Sequence, residues 1–116
     1  MNLSAKRLFG AALAAFVHLT AFSAEPGITA NTVLIGQTGV FSGPVAGPAL
    51  QYRAGAQLYF DSVNANGGVA GRKIQLISYD DKFDPKLAAE NTRKLLETDN
   101  VFALIGFVGI GGIMAS

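Results

Sequence analysis

The 116-residue chain is half hydrophobic, carries 9 basic and 8 acidic side chains for a formal charge of +1, and has no cysteine and one histidine, His18. Its length holds about one small domain, and its composition argues against intrinsic disorder and excludes disulfides and thiolate sites. Beyond His18 it also excludes imidazole-ligated metals and Ser–His or Cys–His nucleophilic chemistry.

Residues 1–23 read as an export signal. Lys6 and Arg7 form a basic start, and Leu8 to Phe22 is apolar or small apart from His18 and Thr20. Ala21 and Ser23 fit an A-x-A-like cleavage pattern before Ala24. The apolar run of about 15 residues is short of the roughly 20 that span a bilayer. Cleavage after Ser23 and a periplasmic location are therefore expected, with an uncleaved anchor as the alternative. No Cys follows the run to carry a lipid. Cleavage leaves 7 basic and 8 acidic side chains, so the mature surface has no basic stripe for nucleic acid.

Ala24 to Asn31 is polar and turn-rich and reads as a linker. Thr32 to Thr38 is a nearly continuous apolar run, the look of a strand covered on both faces. Gly39 to Pro44 is a loop by composition. From Pro48 to Asn64 the period becomes helical, with Ala56, Tyr59, Phe60 and Val63 on one face and Arg53, Gln57 and Asp61 on another. Asn66-Gly67-Gly68 stops that helix. Ile74 to Tyr79 is a second strand. Asp84 and Pro85 supply an N-cap and an N1 proline for a helix over 85–98, with Ala88, Thr92, Leu95 and Leu96 along one stripe and Glu90 paired with Lys94. Val101 to Phe107 is a third strand.

Strands alternating with helices predict an α/β fold, a parallel βαβαβ unit with right-handed crossovers. Three strands leave both sheet edges open, so a fragment or truncated reading frame is expected rather than a complete small domain.

In such a sheet the strand carboxyl ends deliver loops 39–47, 80–84 and 108–112 to one edge, where a small ligand binds. Gly109, Ile110, Gly111 and Gly112 either present N–H groups to an anion or form a tight strand-to-helix turn. The stretch lacks the Lys-Ser/Thr of a phosphate loop. Phe41 and the Ser42 hydroxyl could cover a ligand, or sit in an ordinary loop. Asp80, Asp81 and Asp84 read as structural rather than as a cation site, since calcium-loop spacing is absent. Tyr52, Tyr59 and Phe60 read as packing residues. No metal, cofactor or catalytic residue is expected.

Several segments together carry a resemblance: Gly36-Gln-Thr-Gly-Val-Phe-Ser-Gly-Pro-Val-Ala46, Gly55-Ala56, and Phe60-Asp-Ser-Val-Asn-Ala-Asn-Gly-Gly-Val-Ala-Gly-Arg-Lys-Ile74. Tyr79-Asp-Asp81, Asp84-Pro85, Asn91-Thr-Arg-Lys-Leu95 and Val101-Phe-Ala-Leu-Ile-Gly106 continue the series. Over nearly all of residues 32–116 the chain resembles the start of a leucine/isoleucine/valine-type periplasmic substrate-binding protein of ABC transporters. The resemblance implies the first half of the N-terminal lobe of a type I periplasmic binding fold. It implies a small amino-acid-like ligand, a membrane permease as partner and no enzymatic activity. In that family a hydroxyl side chain and N–H groups at the start of the third helix hold the ligand carboxylate. Here Ile110 stands at the hydroxyl position, Gly112 replaces a second frequent hydroxyl residue, and Pro48 aligns with a common aromatic. A ligand-sensing receptor domain of the same fold, a truncated remnant and a flavodoxin-like enzyme or nucleotide binder are the competing readings.

Overall fold

A computed structural model of the protein describes residues 24–107. The signal-peptide reading of residues 1–23 and the turn at 109–112 lie outside the described residues. Five elements follow in order: β1 (Thr32–Gly39), α1 (Gly47–Ala65), β2 (Lys73–Asp80), α2 (Pro85–Glu97) and β3 (Ala103–Leu104). The strands form a parallel sheet in the order β2-β1-β3. The central strand is thus the first in sequence, and its carboxyl end faces the loops after β1 and β2.

The pleat divides β1 between two layers. Gly36 and Thr38 face α2. A Cβ on Gly36 would lie 3.0 Å from Cδ2 of both Leu95 and Leu104, so glycine lets the helix close onto the strand. Ala88 and Leu95 of α2 are fully buried there, and Val101 nearly so. Val33 and Ile35 face the opposite side. With Ile74, Phe60, Phe102 and Ile105 they line an apolar groove of about 410 Å³ beside α1.

Helix limits follow local chemistry. Asp84 accepts a hydrogen bond from the Lys86 N–H at 2.8 Å, with Pro85 in the first turn. α1 has no side-chain cap at Ala46 and relies on Pro48 in its first turn. It ends where Gly67 and Gly68 take positive φ and the Gly68 N–H returns to the Val63 carbonyl at 2.9 Å.

Four expectations change on contact with the structure. The third strand, expected over 101–107, is regular only at Ala103–Leu104. Its ladder to β1 extends from the Phe102 N–H on the Leu34 carbonyl to the Ile105 N–H on the Gly36 carbonyl, and left-handed Gly106 (φ +56°) then ends it. Tyr59 is not on the packed face of α1 but is 67% exposed, whereas Arg53 is drawn inward. Leu96 is half exposed, and the Lys94 ammonium lies 4.1 Å from the centroid of the Tyr79 ring. Residues 24–31 are held rather than slack. The Gly27 carbonyl accepts from the Leu34 N–H, Arg72 Nε donates to the Thr29 carbonyl, and Gly27 packs against the Phe102 backbone with no room for a Cβ.

One edge device was invisible in the sequence. Asn64, near the end of α1, donates from Nδ2 to the Ile74 carbonyl at 2.9 Å and accepts from the Ile74 N–H at 2.8 Å. Its amide thus stands in for the backbone of a neighbouring strand at the start of β2.

Candidate functional site

The loop after β1 (residues 40–46) is tied to the end of β2 through one carboxylate. Asp80 Oδ1 accepts from the Phe41 N–H at 2.9 Å and from the Lys82 N–H at 3.0 Å. Desolvation raises the Asp80 pKa. The hydrogen bonds from the Ser42 side chain, Lys82 and Phe41, together with the Lys82 charge, outweigh it and hold the carboxyl below its ordinary 3.8.

That sign fixes a pH dependence. A carboxyl lowered on folding contributes stability that is complete above its unfolded pKa and is lost as pH falls through the folded one. The urea midpoint should therefore hold between about pH 7 and 5 and fall below about pH 4. Asp80→Asn should flatten that acid limb. An unchanged limb in the variant would assign the acid loss to other carboxylates.

Asp81 is buried beneath the same edge. Its Oδ2 accepts from Thr38 Oγ1 at 3.3 Å and its Oδ1 from the Phe83 N–H at 2.9 Å. Asn91 of α2 donates to Thr38 Oγ1 and to the Asp80 carbonyl, both at 3.1 Å. Lys82 and Phe83 both have positive φ, a conformation costly for non-glycine residues. The two Asp-to-N–H bonds hold them there. The acidic cluster is therefore consumed by backbone: Asp80 ties two loops, Asp81 shapes the turn and Asp84 caps α2. Among the described residues no group of three or more potential metal ligands is present.

Phe41 and Ser42 do come together at this edge. Phe41 is half-buried, Ser42 is exposed, and the Arg53 guanidinium carbon lies 4.3 Å from the Phe41 ring centroid. The stacked guanidinium rigidifies the aromatic and leaves positive charge beside the loop. Sequence reasoning placed Arg53 on a different face from Ala56 and Phe60, with Gln57 and Asp61. Its signal was available: Ala49, Arg53, Ala56 and Phe60 follow i, i+4, i+7, i+11, so one charge sits inside an apolar stripe.

The exit of β3 joins the same edge. Gln37 Nε2 donates to the Gly106 carbonyl at 3.0 Å, and Ser78 Oγ donates to Gln37 Oε1 at 3.3 Å. The Tyr52 ring packs directly on Gly106. Two loops and the end of β3 are thus locked into one rim. Among the described residues the rim holds an aromatic face, a hydroxyl and a guanidinium.

A family profile described as "Periplasmic binding protein" matches residues 32–115. The chain is 33% identical over 107 residues to the Leu/Ile/Val-binding protein of Escherichia coli K12, covering 91% of this chain and 27% of that protein. It superposes with a TM-score of 0.69 and 33% identity on the branched-chain amino acid transporter substrate-binding protein of Streptococcus pneumoniae, solved with isoleucine, over 73% of this chain and 24% of that one. A fatty acid ABC transporter substrate-binding protein from Thermomonospora curvata gives 0.68 at 31% identity, over 78% and 23%. The chain spans about a quarter of the length of these relatives, all of which are named as binding components rather than enzymes.

Proposed function

The chain belongs to the periplasmic binding protein family, and on that premise we propose that it forms the N-terminal part of a solute-binding component of an ABC transporter. The solute is a branched-chain amino acid or a related small polar molecule, captured in the periplasm and handed to a membrane permease. Residues 1–23 serve as the cleaved leader. The observation that carries the reading is the locked rim at the carboxyl edge of β1, β2 and β3. Ligands bind beyond strand carboxyl ends in open α/β sheets, and the family match covers this rim and the turn after it.

Within that reading, Phe41 and Ser42 contribute an apolar face and a hydroxyl. The backbone N–H groups of Gly109, Ile110, Gly111 and Gly112 receive the ligand's anionic group. Ile110 offers no hydroxyl, and a hydrogen bond to a charged group contributes about 1.5–3 kcal/mol. An amino-acid carboxylate is accordingly held more weakly than by a serine-bearing turn.

Calorimetric titration tests this with leucine, isoleucine, valine, a medium-chain fatty acid and a neutral amide. Saturable heat with one of the amino acids is the expected result. Saturation by the fatty acid alone would move the ligand class while keeping the binding role. Flat titrations of folded protein with every probe would overturn the reading. N-terminal sequencing of exported protein should begin at Ala24.

A further inference from the structure

The loop after β1 is fastened at its ends and bare in the middle. Val40 and Ala46 are buried, while Ser42 to Val45 are exposed. Phe41 stands where the chain leaves the interior, and two different elements hold it. β2 holds its backbone: the Phe41 N–H donates to Asp80 Oδ1 at 2.9 Å. That bond fixes the course of the main chain but leaves the side-chain torsions of the ring free to choose among rotamers. The ring is met from α1 instead, where the Arg53 guanidinium carbon lies 4.3 Å from its centroid.

Arg53 reaches this place from an inward position. Ala49 is fully buried, and Arg53, Ala56 and Phe60 are half-buried along the same flank of α1. A cation drawn partly out of water loses hydration and needs a partner, and the face of an aromatic ring supplies one. A guanidinium is flat and weakly hydrated, so it stacks on the ring and keeps its edge donors clear. The ammonium of a lysine is compact and strongly hydrated, and meets a ring only as a point charge.

We propose that Arg53 is a positioning residue for ligand capture, setting the Phe41 ring before the ligand arrives. The inference rests on the solute-binding reading above and gives Arg53 no contact with the ligand. An aromatic side chain already ordered in the free protein loses no rotamer freedom on binding, so affinity is higher than for the same ring left loose. The two attachments have separate tasks: Asp80 places the loop, and Arg53 turns the ring. The guanidinium is directed to Phe41, which separates the proposal from a plain attraction of anions to a basic rim.

Calorimetric titration of the full chain with leucine, isoleucine and valine tests this through a double-mutant cycle. Arg53→Met keeps an apolar stem and helix propensity, so its urea midpoint should match that of the unaltered chain. Its affinity should nevertheless fall about three- to tenfold. Arg53→Lys should recover only part of that loss. Phe41→Leu should also lower affinity, and in its background Arg53→Met should have no further effect. Equal affinities of the unaltered chain and Arg53→Met overturn the proposal. So does a loss from Arg53→Met that persists undiminished beside Phe41→Leu or is fully restored by lysine, since the charge and not the hold on the ring would then be the cause. A ligand-free measurement keeps the two readings apart. The NMR resonance of the Arg53 Nε–H should be shifted upfield by the ring and should return to its ordinary position in Phe41→Leu. An unshifted resonance in the unaltered chain overturns the positioning role and leaves solute binding standing. A shifted resonance with flat titrations removes the solute-binding reading and this proposal with it.

Discussion

Leu95→Ala is expected to lower the free energy of unfolding by about 2–5 kcal/mol, the range for removing a large aliphatic side chain from a core that relaxes only in part. Leu95 is fully buried and joins three elements. Its Cδ2 occupies the space that glycine leaves open at position 36 of β1, and Leu104 of β3 and Val101 close around the same spot. The Leu95 carbonyl also receives the Val101 N–H at 3.0 Å, guiding the chain from α2 into the third strand. Truncation leaves a void bounded by rigid strand backbone, where collapse is limited. Leu95→Met keeps the volume and should cost less than about 1.5 kcal/mol. Urea unfolding of the two variants separates the cases. Equal losses would show that packing at this point is not what the stability depends on.

Gly106→Ala should be the second large loss, and it acts on the rim. Its left-handed backbone alone costs an alanine about 1–2 kcal/mol. The new Cβ would also meet the Tyr52 ring, which is 46% exposed and must swing aside, adding a smaller steric cost. The two contributions can be separated by a double-mutant cycle with Tyr52→Ala. Removing the ring should relieve the steric part and leave the backbone part. Since Gly106 sits in the rim proposed to bind ligand, affinity should fall together with stability. A stable variant with normal affinity would place the binding edge elsewhere.

Much of the architecture was legible because it rests on local chemistry. The Asp84-Pro85 start, the Gly67-Gly68 stop and the apolar runs of β1 and β2 are written in adjacent residues, and the observed elements fall within one or two positions of them. The third strand was overread because its apolar composition continues past Gly106, and composition does not reveal a positive φ. Tyr59 and Arg53 were exchanged for another reason. Both fit a helical period, and only the position of the Phe41 loop decides which flank of α1 is covered. Asn64, Gln37 and Asn91 were missed entirely. Each acts through partners 10 or more residues away, Gln37 on a carbonyl 69 residues distant, and a lone amide in a sequence carries no mark of such a partner. Of the rim, Phe41 and Ser42 were readable as loop residues. The carboxylate that positions them, Asp80, was read as structural, but its partners in the loop after β1 were not legible.

The order of strands has a kinetic consequence. β1 is made first and lies at the centre, yet Thr32 must wait for Lys73 and Ile35 for Ala103 before either side of it is paired. Topologies dominated by such distant parallel contacts fold slowly, because the loop-closure entropy is spent before the contacts return it. A newly made chain therefore keeps its central strand unpaired until most of the described sequence has emerged. The arrangement that places β1 at the heart of the sheet thus also postpones its pairing until the later strands have been made.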